Sequence, residues 1–207
     1  MAEKKSTFLN MVLTLFLVTF TSALILGVIQ KITEEPIAIA KANAQNEAIR
    51  AILPDFSKVD NPFFISAGEG EDSLEVFKAF DESENLIGVA INSYSKNGFG
   101  GKILVMVGFD TSGAITGYQV LEHKETPGLG SKMSEWFNNK EKSSQNIIGK
   151  NPSSTKLQVS KDGGEIDGIT ASTITSRAFL EAINLAFQAG GLGNVDGVTS
   201  QTNKTVE

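Results

Sequence analysis

From Phe8 to Ile29 the chain reads FLNMVLTLFLVTFTSALILGVI, with no charged side chain. An apolar run of roughly 22 residues at about 1.5 Å rise makes a helix about 33 Å long, enough to cross a hydrocarbon layer of about 30 Å. Thr14, Thr19, Thr21 and Ser22 can bond back to their own helix, so lipid tolerates them. A cleaved signal peptide has a shorter apolar stretch, about 7–15 residues, and a small-residue cleavage site after it. Here Gly27-Val-Ile-Gln-Lys31 follows. The pattern predicts a permanent anchor, with residues 1–30 forming a short stub and a single-pass transmembrane helix. Lys4 and Lys5 precede the run, and Lys31, Glu34 and Glu35 follow it. That bias favours a cytoplasmic N-terminus and a main domain on the outer face of the membrane.

Past the anchor the periodicity stays helical. Pro36 suits a first helical turn, and Ile39, Ala42, Ile49 and Leu53 recur near helical spacing until Pro54. Residues 31–54 therefore read as a membrane-proximal helical segment. Then the texture changes. Leu74–Phe80, Leu86–Tyr94, Lys102–Phe109 and Ala114–Glu122 are rich in Val, Ile and Phe and read as strands. Ile103, Val105, Val107 and Phe109 share one face of the third. Asp110-Thr-Ser-Gly113 is a turn signal that joins the last two into a hairpin. Met133–Asn138 reads as a short helix, and Leu157–Ser160 and Glu165–Ile166 as short strands. A last amphipathic helix spans Thr173–Ala189 and stops at Gly190-Gly191. Residues 55–193 thus form one α+β domain, an antiparallel sheet with packed helices, and the polar 194–207 reads as a tail. Strands and helices do not alternate, which argues against a doubly wound nucleotide fold.

Composition narrows the chemistry. The net charge of -6 excludes a basic nucleic-acid footprint. Cysteine is absent, which removes disulfides, iron–sulfur ligation and thiol catalysis from this chain. With a single histidine, His123, no His/Cys metal site is expected. No catalytic residue stands out, and His123 reads first as an ordinary turn histidine.

Two glycine-rich loops remain: Asn97-Gly-Phe-Gly-Gly101 and Thr126-Pro-Gly-Leu-Gly130. The first is no dinucleotide fingerprint, since Ile103 stands where its third glycine belongs, and the second cannot be placed on a P-loop. By their residues alone they are tight turns, with ligand contact left open. The segment Asp167-Gly-Ile-Thr-Ala-Ser-Thr173-Ile-Thr-Ser-Arg177 opens the last helix. Ser and Thr there can simply cap the helix. The same helix start, with Arg177 a turn further on, also suits a phosphate.

Asp167-x-x-Thr170-Ala171-Ser172-Thr173 resembles the flavinylation motif of the covalent FMN-binding domain family, with the acceptor position on Thr173. Ala171-Ser172 stand where that family usually has Gly-Ala. His123-Lys-Glu-Thr-Pro-Gly-Leu-Gly130 resembles a second signature of the family, and the Gly98, Gly100 and Gly101 loop a third. With the anchor, the pattern is similar to the G subunit of the Rnf complex, an ion-translocating ferredoxin:NAD oxidoreductase. The C subunit of the sodium-translocating NADH:quinone oxidoreductase shares the domain. The resemblance implies FMN joined to Thr173 through a phosphoester, making the chain a flavoprotein and, in that sense, a phosphoprotein. A flavin transferase would attach it from FAD, releasing AMP. Partners would be the membrane and iron–sulfur and flavin subunits of a Na⁺- or H⁺-translocating complex in the cell inner membrane. Asp167, Thr170, Ala171, Ser172, Thr175 and Arg177 would surround the phosphate. Glu125, Thr126, Pro127, Gly128, Leu129, Gly130 and Lys132 would face the ring, with Glu125 and Lys132 tuning its potential. The competing class is a non-redox, membrane-tethered module that binds a reversible ligand through the same loops.

Overall fold

The computed structural model describes residues 8–68 and 72–192. The stub that carries Lys4 and Lys5, and the expected tail 194–207, lie outside the described residues. The chain divides into two compact units, residues 1–44 and 45–207.

The anchor and the membrane-proximal segment form one helix, α1, Phe8–Ile52, with Pro36 inside it. The expectation that Pro36 opens a second helix is not met. A proline removes one helical N–H and crowds the carbonyl four residues back. Here strong helix formers on both sides carry the helix through that local defect. In the first unit the hydroxyls of Thr14, Thr19, Thr21 and Thr33 donate to carbonyls four residues earlier. They therefore add no unsatisfied polar group to the apolar surface. Among the described residues, α1 alone is long and apolar enough to cross a membrane.

The second unit is built on a six-stranded antiparallel sheet of β1 (Lys58–Val59), β2 (Phe63–Ile65), β3 (Leu74–Phe80), β4 (Leu86–Gly98), β5 (Gly101–Asp110) and β6 (Ile115–Glu122). The order is β1-β3-β4-β5-β6, and β2 also pairs with β3. The α+β expectation holds, with four strands near their predicted bounds and the two short ones, β1 and β2, unforeseen. β4 runs past Tyr94 to Gly98, which pairs with Gly101. The first glycine cluster is therefore the two-residue tip, Phe99-Gly100, of a β4–β5 hairpin. Gly101 sits at φ +101°, a conformation that favours glycine. The expected strands around 157–166 reduce to a single parallel bridge, Val159 to Ile166. The short helix α2 covers only Met133–Trp136, after a 3₁₀ turn at Gly130–Lys132.

Each face of the sheet is covered. Val89 and Ile91 of β4 and Ile103, Val105, Val107 and Phe109 of β5 pack against α3 (Thr173–Ala189). α3 presents Ala178, Phe179, Ala182, Ile183 and Ala186 to them. Phe179 stacks on Phe137 and meets the edge of Tyr118. The opposite face carries Phe77, Ala79, Ala90 and Met106, and receives Ala48, Ile49, Ile52 and Leu53 from the end of α1.

Glycines set that second contact. A methyl group on Gly117 would lie 2.8 Å from Ile52 Cα, and one on Gly108 would lie 2.7 Å from Ile52 O. Gly108 and Gly117 are cross-strand partners, so together they form a shallow trench in which the helix end rests. The hydroxyl of Thr116 donates to the Ile52 carbonyl, satisfying a helix-end acceptor. Gly117→Val is expected to cost about 2–4 kcal/mol, since the added side chain meets backbone that cannot yield. Thermal unfolding of the purified protein reads this out. Gly27→Ala, inside α1 with open space around it, should not lower the transition.

Candidate functional site

Three segments meet beside the start of α3. They are the β4–β5 tip, the loop after β6, and the turn at 169–172. Phe99, Glu125, Thr126, Leu129 and Gly130 line a cleft of about 360 Å³ with Ala171, Ser172, Thr173, Ile174 and Thr175. That volume falls near the small end of ligand sites, roughly 300–1,000 Å³.

Glu125 ties the segments together. It is 5% exposed. Its Oε1 accepts from Gly100 N–H at 2.9 Å, and its Oε2 accepts from the Thr175 hydroxyl at 2.6 Å. Its own N–H donates to His123 Nδ1 at 3.1 Å. His123 is therefore a turn-forming acceptor, in keeping with the plain reading of that residue. The surrounding glycines make room for the carboxylate. A methyl group on Gly98 would lie 2.7 Å from Oε1, and one on Gly130 would lie 2.7 Å from Thr175 Oγ1. A methyl group on Gly100 would lie closer still, 2.1 Å from the Lys124 carbonyl oxygen. Within the loop, Thr126 O accepts from Leu129 N–H, while Gly128 at φ +75° donates its N–H to Ser131 Oγ.

The acceptor segment is pinned from behind. Ser176, fully buried, accepts from Ile169 N–H at 2.8 Å and donates to Ser172 O at 2.9 Å. Asp167 lies outside the cleft. Its carboxylate accepts from Ser144 and Ser160 hydroxyls, and its carbonyl accepts from Trp136 Nε1–H at 2.8 Å. Asp167 thus braces the turn, with no contact to the cleft. Ser172 caps α3 by position, but its side chain makes no capping bond and leaves the first-turn amides uncapped by it. Thr173 is half-buried and lines the cleft.

Other expected residues sit further away. The Arg177 guanidinium grips Asp162 with two bonds of 2.7 Å. This pair holds the Asp162 carboxyl below its usual value and raises the guanidinium. Arg177 and Asp162 line a separate groove along α3. Lys132 is exposed and lines another cleft with Trp136 and Gln145. Thr170 and Pro127 are exposed and do not line the cleft. Gly98 and Gly101 shape the hairpin that presents Phe99.

Three residues that sequence reasoning left unassigned complete the site. Phe99 is 70% exposed and Ile174 50%; with Leu129, 42% exposed, they make an apolar rim. An aromatic residue between glycines at a hairpin tip is a visible signal for the first. Ser176 is the third, and its spacing from Ser172 is the only sign. No cluster of three potential metal-ligating acidic or histidine side chains occurs among the described residues.

The cleft combines a half-buried hydroxyl at a helix start with apolar side chains beside it, an arrangement that can hold an anionic group next to an apolar one. Residues 98–188 match the FMN-binding domain family. The G subunit of the ion-translocating oxidoreductase complex from Vibrio vulnificus is 30% identical over 184 residues, covering 83% of each chain. Its counterpart from Cronobacter sakazakii is 32% identical over 171 residues, 77% of this chain and 79% of the relative. The chain belongs to this G-subunit family. Among solved structures, the G-type chain is similar to the crystal structure of Shewanella oneidensis NqrC, at 22% identity and a TM-score of 0.43, covering 64% of this chain and 68% of that one. Membership makes this G-type chain an electron-transfer flavoprotein component of a redox complex, with an apolar N-terminal helix that fits a membrane anchor.

Ala171 holds φ +61°, at the place where the resemblance has glycine. The left-handed region costs an L-residue about 1–2 kcal/mol. Ala171→Gly should therefore keep or slightly raise the melting temperature. Ala171→Val, β-branched at a positive φ, should lower stability by about 1–2 kcal/mol. Calorimetry on the two variants checks the pair.

Proposed function

We propose that this chain is the electron-relay subunit of an ion-translocating ferredoxin:NAD oxidoreductase, carrying FMN as a phosphoester on Thr173. The observation that carries the reading is the placement of Thr173. Of the hydroxyls in its segment, Thr175 and Ser176 are engaged by Glu125 and by backbone, Thr170 lies outside the cleft and Ser172 is buried, whereas Thr173 lines the cleft half-buried. In attachment, a new bond forms between Thr173 Oγ1 and the FMN phosphorus of FAD. The pyrophosphate link breaks, AMP leaves, and the hydroxyl proton passes to solvent or to the transferase. That transferase supplies the chemistry, so Thr173 needs no neighbouring base.

Once bound, FMN supplies the redox chemistry. The chain's own residues tether, orient and cover. The uncapped amides at the start of α3 favour the phosphate. Leu129, Phe99 and Ile174 offer apolar surface to the ring. Glu125 lines the cleft with both carboxylate oxygens already bonded, and Lys132 and Arg177 line other clefts and are not first choices as ligands. A tether keeps the flavin at high effective concentration on the outer face, where a dissociated one would be lost by dilution. The apolar α1 holds the domain to the inner membrane as a single-pass anchor, with the N-terminus cytoplasmic.

Intact mass on protein purified from membranes tests the reading. The wild type is expected to carry FMN less one water and to fluoresce in a denaturing gel. Thr173→Ala should lose both signals completely, and Thr173→Ser should keep them. An adduct that persists in Thr173→Ala would move the attachment point elsewhere. Colour released by acid precipitation of the wild type would instead favour a reversible ligand-binding module. Co-purification of an iron–sulfur, ferredoxin-accepting subunit separates this complex from its quinone-reducing sister.

A further inference from the structure

We propose that Glu125 is a positioning residue for flavin attachment, whose carboxylate sets the rotation of the first turn of α3 and so aims the Thr173 hydroxyl outward. The proposal rests on Thr173 as the attachment point. Successive helix residues are about 100° apart, so Thr173 and Thr175 project roughly 200° apart around the axis. Drawing the Thr175 hydroxyl onto Glu125 Oε2 at 2.6 Å therefore turns Thr173 away from the carboxylate, at another part of the cleft that both threonines line. The other carboxylate oxygen is anchored independently, by Gly100 N–H at 2.9 Å on the β4–β5 tip. The hairpin, the loop that carries Glu125 and the helix start are thereby fixed to one group.

The packing leaves this group no alternative position. Methyl groups on Gly98 or Gly130 would fall on its oxygens. The backbone of Glu125 is held in turn by His123 Nδ1. Residues behind the turn, Ser176 and Ser172, fix its depth by bonds within the segment. Glu125 joins the first turn of α3 to the β4–β5 tip directly, while two turns on Glu181 accepts from Ser95 and Asn97 at the end of β4 and holds the rest of the helix to the same hairpin. A transferase must place the acceptor oxygen in line with phosphorus, and a misplacement of about 1 Å can cost about 10²-fold in rate.

Glutamine separates positioning from charge. In Glu125→Gln the side-chain carbonyl can still accept from Gly100 N–H, and the amide can donate to Thr175 Oγ1. Shape and both bonds survive, while the charge is lost. Glu125→Ala loses both bonds. Thr175→Val removes only the helix-side hydroxyl at constant size, and Thr175→Ser restores it.

The test is the rate of FMN incorporation into the full-length chain, produced with a flavin transferase and followed by intact mass. Circular dichroism on each variant confirms folding. Glu125→Ala and Thr175→Val are expected to slow incorporation at least about tenfold. Glu125→Gln and Thr175→Ser are expected to stay within a few-fold of wild type. The double variant Glu125→Ala/Thr175→Val should be no slower than Glu125→Ala alone, because that change already removes the bond to Thr175. Incorporation into Thr175→Val at the wild-type rate would overturn the proposal, whether or not Glu125→Ala folds. Equal loss in Glu125→Gln and Glu125→Ala would also overturn it, in favour of a charge effect. If the wild type itself gains no mass, the attachment reading fails first, and the two failures are told apart.

Discussion

The carboxylate of Glu125 is buried where three segments far apart in the chain converge, and a buried carboxylate must have its acceptor positions filled. Leaving one such group without a donor costs about 1–3 kcal/mol or more. Gly100 and Thr175 supply the donors. From that need much of the local sequence follows. The β4–β5 tip must bring an amide within 2.9 Å of the carboxylate, so Gly98 cannot carry a side chain. The loop after β6 must pass close on the other side, so Gly130 cannot either. Two glycine clusters that look unrelated in sequence answer to one side chain.

The sheet supports this junction from both faces. On one face α3 packs Phe179, Ala182, Ile183 and Ala186 against the aliphatic stripe of β4 and β5, which fixes where the helix begins. Each fully buried aliphatic or aromatic side chain contributes about 1.5–3 kcal/mol of transfer free energy, against about 0.5–1.5 kcal/mol for a hydrogen bond at the helix start. Packing therefore places α3, and Glu125 selects the facing of its first turn. On the other face the Gly108–Gly117 trench lets Ile49 and Ile52 reach the sheet. The strands that carry the hairpin tip are thus held from two sides, and Phe99 projects from a fixed base.

Periodicity revealed most of this fold and little of the site's wiring. The face shared by Ile103, Val105, Val107 and Phe109 was legible because alternation in a strand reports burial directly. The bounds of α3 were legible because an apolar stripe ends in two glycines. Pro36 misled, since a single lost helical bond is a local cost that the flanking helix formers override. β1 and β2, of two and three residues, were invisible because such short strands carry no alternation of their own; they exist by pairing with β3. At the site, residue types were legible and partners were not. Arg177 looked free for a phosphate, yet Asp162, fifteen residues earlier, holds it. Asp167 looked like a ligand, yet it braces Ser144 and Ser160. Long-range pairings of this kind leave no spacing rule behind.

The exposed rim of the cleft then bears on why a tether would be useful. Phe99, Leu129 and Ile174 leave apolar surface open to solvent there. A ring resting on such a rim buries less area than one enclosed on both faces, and its reversible affinity falls accordingly. Exposure, however, is what brings a redox ring within reach of another protein of the complex. Covalent attachment would resolve the conflict, because it would hold the cofactor without demanding that the protein enclose it. In that arrangement the residues around Thr173 would need only to aim the cofactor, and a buried, fully bonded group such as Glu125 suits that task better than an exposed charge such as Lys132.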